Sequence, residues 1–110
     1  MAKKNFLDYV PVKNELYLDH INEKGLVVVR VPKTGFFDVL AQKLAKTPKV
    51  SYITLDEYGS FIWQFIDGEM SIHDISIQVK EHYGDQAEPL YDRLVKFFQI
   101  LKEHKFVSFK

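Results

Sequence analysis

The sequence contains no cysteine, and this absence removes several classes of chemistry. Without thiols the chain can form no disulfide, no thiolate nucleophile and no zinc–thiolate site, which suits a reducing cytoplasm, where we expect the protein to be located. Long hydrophobic runs are also missing. The apolar stretches at Leu26–Val29 and Phe61–Trp63 are far shorter than the ~18 residues that a membrane span needs. We therefore expect neither a membrane span nor a secretory signal.

Glycine and histidine are few and scattered, which argues against two further kinds of site. The five glycines form neither a phosphate-cradling loop nor a nucleophile elbow. Among the four histidines, His73 and His82 are nine residues apart, which places them on opposite sides of a helix. The acid pairs that begin at Asp56 and at Asp67 coincide with predicted helix ends, where carboxylates have structural roles. We therefore predict a non-catalytic protein with no metal site and no cofactor.

The charge of the chain is zero overall but unevenly distributed. Residues 1–50 contain nine Lys or Arg and five Asp or Glu, a net charge of +4. Residues 51–110 contain six Lys or Arg and ten Asp or Glu, a net charge of −4, which disfavours binding of a nucleic-acid backbone by this half.

The length of 110 residues is that of one domain, with room for a core but little for a deep active site. We expect a single domain over residues 1–110.

Residues 12–55 have the pattern of a small antiparallel sheet. The β-forming stretches Glu15–His20 and Leu26–Val31 flank a short glycine-containing turn, which predicts a hairpin. Apolar and polar residues alternate in Val50–Leu55, which predicts a third strand. Between the hairpin and this strand, apolar residues at spacings of three and four predict an inserted amphipathic helix at about 36–46.

Residues 56–110 have the pattern of three helices. The first is expected to begin with Asp56 as its N-cap and to end at Gly68 in a left-handed conformation. The second opens at Ser71, with an acid three residues later in the position of a capping box. The third begins with Pro89 in its first turn. Its apolar stripe consists of Leu90, Leu94, Phe97, Phe98 and Leu101.

Both terminal segments have an extended pattern. Residues 5–14 mix apolar side chains with Pro11, which is typical of an extended lead-in that docks on the body of a domain. Phe106–Phe109 is predicted to be a short extended segment at the other end of the chain.

The combined pattern predicts an α+β fold that is winged helix-turn-helix-like. It has a three-stranded antiparallel sheet followed by three helices, with the extra helix inserted before the third strand. In such a fold the third helix would be the one to read DNA. Its less apolar face has mixed charges and no basic stripe, so we expect no nucleic-acid binding; a winged-helix DNA-binding or regulatory module is the alternative. The residues of this face are Asp92, Arg93, Lys96, Gln99, Lys102 and Glu103.

The predicted third strand contains neither a charge nor a proline, although such residues usually protect the edge of a sheet. An uncharged edge beside an apolar helix would form a groove in which an extended peptide adds as a fourth strand. Two other interpretations are open at this point: the inserted helix covers the strand, or the strand belongs to the core. A further alternative is that two copies of the protein form a homodimer through the same edge.

Several stretches of the second half resemble the PqqD family, which is named for pyrroloquinoline quinone (PQQ) biosynthesis protein D. The resemblance covers about residues 50–107, with a looser match of the hairpin. It also includes a departure, since the segment Gly35–Lys49 is longer than the connection expected in that family, which leaves the pathway and the peptide open. The stretches that carry the resemblance are Leu55–Trp63, Ile66–Gly68, Ser71–Ile75, Tyr83–Gly84 and Leu94–Leu101.

The resemblance implies a protein that recognises a peptide. Members of that family bind the leader of a ribosomally made precursor peptide and present it to a modifying enzyme, commonly a radical S-adenosylmethionine (SAM) protein. The leader adds to the third strand and lies against the third helix. By position, the implied peptide-binding residues are Ser51, Tyr52, Ile53, Thr54, Arg93, Leu94, Lys96 and Phe97. Of these, Arg93 and Lys96 would attract acidic residues of a leader.

Four other residues that match the family pattern are better interpreted as structural. Trp63 is expected to fill the core, and Gly68 is expected to end a helix. The remaining two are Tyr58 and Asp67.

Overall fold

The computed structural model describes residues 5–32 and 50–110, which form a mixed α/β fold with two antiparallel sheets and three α-helices. The predicted inserted helix at 36–46 lies outside the described residues. The strands are β1 (Pro11–Lys13), β2 (Asp19–Ile21), β3 (Val27–Pro32), β4 (Val50–Thr54) and β5 (Val107–Phe109). The helices are α1 (Glu57–Trp63), α2 (Ile72–Tyr83) and α3 (Leu90–Glu103), with short 3-10 helices at Phe6–Asp8 and Gly84–Ala87.

The three-stranded sheet has the order β2-β3-β4, which confirms the predicted antiparallel hairpin and third strand. Val29 in the middle of β3 lies opposite Asp19 on one side and opposite Ile53 on the other. The hairpin turn is held by Asn22, whose side-chain oxygen accepts bonds from two backbone N–H groups, and Gly25 takes a positive φ of 80°. Asn and Gly are suited to such a turn because both tolerate conformations that other residues avoid.

The first strand of the hairpin is shorter than predicted. The expectation of Glu15–His20 is wrong at its start, because β2 begins only at Asp19. The preceding residues form a turn in which the Asn14 side chain accepts a bond from the Leu16 N–H and the Asn14 carbonyl accepts one from the Tyr17 N–H. A short amide side chain bonded to the following backbone competes with strand pairing, and this explains the later start.

The two-stranded sheet joins the two ends of the described chain. β1 pairs antiparallel with β5, with Val12 opposite Ser108. The Asn14 N–H donates to the Phe106 carbonyl at one end, and the Lys110 N–H donates to the Val10 carbonyl at the other. The extended segment predicted at Phe106–Phe109 is therefore confirmed as a strand. The extended segment predicted at residues 5–14 contributes its partner strand, β1, and a 3-10 helix.

α1 ends earlier than predicted, at Trp63 instead of Gly68. Its start agrees with the prediction, since the Asp56 side chain accepts a bond from the Gly59 N–H at 2.7 Å. After the helix, the Asp67 carboxylate accepts bonds from the N–H groups of residues 69 and 70. These bonds form a separate turn in which Gly68 has a φ of 80°, so this glycine serves the turn and not the helix end.

The second and third helices largely follow the prediction. In α2 the Ser71 hydroxyl accepts from the Asp74 N–H while the Asp74 carboxylate accepts from the Ser71 N–H, which confirms the capping box. α2 ends at Tyr83, and Gly84, which has a φ of 60°, is its C-cap. Pro89 is the N-cap of α3 and so lies just before the first turn, where the prediction had placed it inside that turn.

The core lies between the three-stranded sheet and the helices. Val27 and Val29 of β3 face Ile62 and Trp63 of α1, and the buried apolar residues of α3 belong to the same cluster. Trp63 is only 2% exposed, which confirms its predicted place in the core. None of the helices in residues 5–32 and 50–110 has the length and apolar character of a membrane span. The other main core residues are Ile66, Ile72, Ile75, Val79, Leu90, Leu94, Phe98, Leu101, Phe106 and Val107.

Candidate functional site

The backbone groups of β4 alternate between those that face β3 and those that face the outer edge of the sheet. The Leu55 N–H donates to the Val27 carbonyl at 2.8 Å, so the backbone of Leu55 faces β3. Because the direction of hydrogen bonding alternates along an antiparallel strand, the backbones of Ser51 and Ile53 face β3 as well. The N–H and carbonyl groups of Tyr52 and Thr54 therefore point away from β3. Across the part of the chain that the structure describes, no strand pairs with them.

The side chains of β4 alternate between the two faces of the sheet. Ser51, Ile53 and Leu55 share the face that is turned towards α3, where they line a cavity of about 430 Å³. We call this cavity the β4–α3 groove. Its other lining residues come from β3, from α3 with its C-cap and from the residue before β5. They are Val31, Phe97, Ile100, Leu101, His104 and Phe106.

The groove is lined almost entirely by hydrocarbon. Among the described residues that line it, His104 is the one ionisable side chain and none is a carboxylate. Several lining side chains are only partly covered, with Ile53 42% and Ile100 54% exposed. Large apolar side chains that remain exposed side by side are typical of a surface that binds another molecule. The groove is therefore suited to bind apolar side chains.

Arg93 lies in a second cavity, of about 440 Å³, that adjoins the Leu55 end of β4. Its guanidinium is 4.1 Å from the centre of the Tyr58 ring, and its Nη1 donates to the Gln86 carbonyl at 3.0 Å. These two contacts fix the direction of the guanidinium. Burial raises the pKa of the Tyr58 hydroxyl, an effect that the nearby Arg93 cation partly offsets. The same hydroxyl is buried and forms no hydrogen bond with any described residue.

The residues that the sequence suggested for peptide binding have different surroundings in the structure. The side chains of Ser51, Ile53 and Phe97 line the groove. Tyr52 and Thr54 contribute their outward backbone groups, and their side chains lie on the other face of the sheet. The other three residues lie outside the groove lining. Leu94 is fully buried in the core, Arg93 lines the adjoining cavity, and Lys96 is exposed on the surface of α3.

Six groove residues were missing from the set suggested by sequence. Ile100 and His104 are three and seven residues after Phe97, so helical periodicity could have placed both on the same face. Leu55 could have been found by the alternation of β4. Leu101, four residues after Phe97, belongs to the predicted apolar stripe of the same helix. The other two, Val31 and Phe106, give no local signal, because only tertiary packing brings them beside β4.

A comparison with protein families matches residues 44–107 to the family described as Coenzyme PQQ synthesis protein D (PqqD). Comparisons with curated proteins and with solved structures found no match. The matched region contains β4, the three helices and the start of β5, and hence most of the groove lining. Because the match covers more than half of the chain, the protein belongs to the PqqD family, which suggests an accessory, peptide-binding partner role related to PQQ biosynthesis.

Proposed function

We propose that the protein is a non-catalytic peptide chaperone. It binds the leader of a ribosomally synthesised precursor peptide in the β4–α3 groove and presents it to a peptide-modifying enzyme, a radical SAM protein. The observation that carries this proposal is the edge of β4, which offers uncharged, outward-facing backbone groups directly beside an apolar groove. An edge of this kind binds an extended peptide through backbone bonds, while pockets select its side chains.

The proposed binding mode follows from the alternation of β4. An added strand would bond to the outward groups of Tyr52 and Thr54. Residues directly opposite one another in neighbouring strands have side chains on the same face, so the peptide residue opposite Ile53 points into the groove. The next groove-facing side chains are two residues away on either side. The leader is therefore expected to contain apolar residues at alternate positions over about five residues.

The cations near the groove give the leader a preferred charge. Arg93 lies beyond the Leu55 end of β4, where its guanidinium is held by the Tyr58 ring, and no carboxylate of the described residues forms an ion pair with it. Lys96 lies one turn before Ile100 on the outer flank of α3. An acidic residue in the leader, adjacent to the alternating apolar segment, would be attracted by both cations.

The proposal is tested by titrating the protein with the precursor peptide encoded beside its gene while amide resonances are followed by NMR. We expect the largest shifts in residues 50–55 and in α3. Shifts confined to other elements would contradict the binding mode. Salt-dependent binding of duplex DNA would instead support the alternative of a winged-helix DNA-binding or regulatory module. A doubled mass in solution that the peptide abolishes would show that a second copy competes for the same edge.

Proline substitutions in β4 test separately the backbone groups that point away from β3 and those that face it. Tyr52→Pro removes an N–H that points away from β3, so we expect the fold to survive and peptide binding to be lost. Tyr52→Ala is the matched control, because it removes the same side chain but keeps the N–H. Ile53→Pro removes an N–H that faces β3 and is expected to destabilise the sheet itself. Equal peptide affinity of Tyr52→Pro and Tyr52→Ala would contradict strand addition.

Ester replacements in the peptide backbone give the direction of the added strand. Each ester removes one N–H without adding bulk. In an antiparallel addition the peptide residues that bond to β4 lie opposite Tyr52 and Thr54 and turn their side chains away from the groove. Esters at those positions then weaken binding, and esters at groove-facing positions do not. A parallel addition reverses this pattern, and equal tolerance of both sets would contradict strand addition in either direction.

A further inference from the structure

Gly59 occupies a position where backbone conformation does not require glycine. It lies within α1, and its φ is not in the left-handed region. Glycine is a poor helix former, and alanine is the best. The reason for glycine at this position must therefore lie in the packing around it.

The space beside Gly59 is filled by neighbouring side chains. A Cβ at this position would lie 3.1 Å from Cε1 of Phe97, 3.1 Å from Oδ1 of Asp56 and 3.4 Å from Cβ of Leu55. The first two distances are shorter than ordinary carbon contacts, so these neighbours would have to move. Two of the three neighbours, Leu55 and Phe97, line the same end of the β4–α3 groove.

The Phe97 ring is confined on its other sides. It has edge-on contacts with Tyr58, at 6.3 Å between ring centres, and with Phe98, at 5.5 Å. Gly59 limits it on the side of α1, and its remaining side faces the groove. A side chain at position 59 would therefore push the ring towards the groove, because tight packing leaves it no other direction.

We propose that Gly59 is a positioning residue that sets the depth of the groove at its Leu55 end. The missing side chain lets the Phe97 ring pack closely against α1 and leaves room for one bulky aliphatic or aromatic side chain of a bound peptide. The inference rests on the proposed function, since it assigns a size preference to one position of the peptide that the groove binds.

The test uses the wild type, Gly59→Ala, Phe97→Leu and the double variant Gly59→Ala/Phe97→Leu. The probes are synthetic versions of the precursor leader in which each apolar residue in turn is Ala, Leu or Phe. We expect one position at which Gly59→Ala lowers the affinity for Leu or Phe about tenfold and leaves the affinity for Ala unchanged. In the double variant the shorter Leu side chain relieves the contact, and the preference for the bulky residue should return.

The possible outcomes separate this inference from the proposed function. If the wild type binds none of the probes, or binds them away from β4, the proposed function fails and the inference fails with it. If the wild type binds at β4 but Gly59→Ala weakens all probes equally, Gly59 has only a structural role and the inference alone is overturned. If Gly59→Ala does not fold, the double variant must fold and keep the size preference; its failure would also overturn the inference.

Discussion

The two apolar sides of α3 differ in how completely they are covered. One side carries Leu94 and Phe98, which are fully buried against α1, α2 and the sheet. The other side carries Phe97 and Ile100, which line the β4–α3 groove and remain partly or largely exposed. A helix that served only as a core element would need one apolar stripe. The second stripe adds little to stability where it stands exposed, and this difference points to binding as its role.

Phe97 and Phe98 allow the comparison to be tested with two identical side chains. Phe98→Ala leaves a cavity in a fully buried site and is expected to lower the free energy of unfolding by about 3–5 kcal/mol. Phe97→Ala removes a half-buried ring, so we expect a loss of only about 1–2 kcal/mol. Peptide affinity should respond in the opposite order, with the larger loss for Phe97→Ala.

Urea unfolding gives the stabilities, and peptide titration under conditions where both variants are folded gives the affinities. The wild type and an exposed-site variant on the same helix, Gln99→Ala, provide the reference values. Equal destabilisation by the two phenylalanine changes, or equal loss of peptide affinity, would show that α3 has a single apolar surface. It would contradict the assignment of different roles to its two apolar sides.

Features of the fold that depend on neighbouring residues were predictable from the sequence. Ser71 and Asp74 form the expected capping box because both partners lie within one helical turn. The alternation in β4 and the apolar stripe of α3 were likewise local patterns. Three of the nine groove residues, Ser51, Ile53 and Phe97, were in the predicted set, since an alternating strand and a broad helix stripe predict which faces are apolar.

The remaining features depend on contacts between distant parts of the chain. The pairing of Val12 with Ser108 joins residues near opposite ends of the sequence, and three-residue strands carry too short a pattern to predict partners. The end of α1 was misplaced because Gly68 suits both a helix end and a turn, and the Asp67 side-chain bonds decide for the turn. The packing reason for Gly59 is equally hidden, since it depends on the ring of Phe97.

The buried hydroxyl of Ser60 connects the groove side of the molecule with the core side. It accepts a bond from the Val27 N–H at 2.9 Å and donates to the Leu55 carbonyl at 3.2 Å, which ties α1 to the ends of β3 and β4. Ser60→Ala leaves the buried Val27 N–H without this partner, and we expect a loss of about 1–3 kcal/mol in unfolding free energy. The matched control is Ser76→Ala, because the Ser76 hydroxyl is also buried but donates only to a carbonyl of its own helix.

Hydrogen exchange shows where the effect of Ser60→Ala occurs. The amide protons of Val27 and Leu55 should exchange faster than in the wild type, while those of β2 keep their protection. Peptide affinity should fall with the loosening of the Leu55 end of β4. An increase in exchange that spreads evenly over all strands would mean that the hydroxyl stabilises the whole core and has no particular link to the groove.

Asp19 lies on β2, at the far edge of the sheet from the groove, and gives the smallest expected effect. Burial raises the pKa of its carboxyl, but bonds from the Trp63 indole, at 2.5 Å, and the Lys13 ammonium outweigh this and hold the pKa below its usual value of 3.8. A pKa that is lower in the folded state adds stability above about pH 4, and this contribution is lost as the pH falls through the folded-state pKa. Because the side chain is partly exposed, we expect Asp19→Asn to lower the unfolding free energy at pH 7 by about 1 kcal/mol or less, with the gap narrowing as the pH falls below 3.8.

Urea unfolding followed by Trp63 fluorescence measures the gap, and peptide affinity at pH 7 should stay unchanged because Asp19 lies outside the groove. A gap that does not narrow as the pH falls below 3.8 would contradict the assigned role of the carboxylate. Altered peptide affinity would mean that the far edge and the groove are coupled.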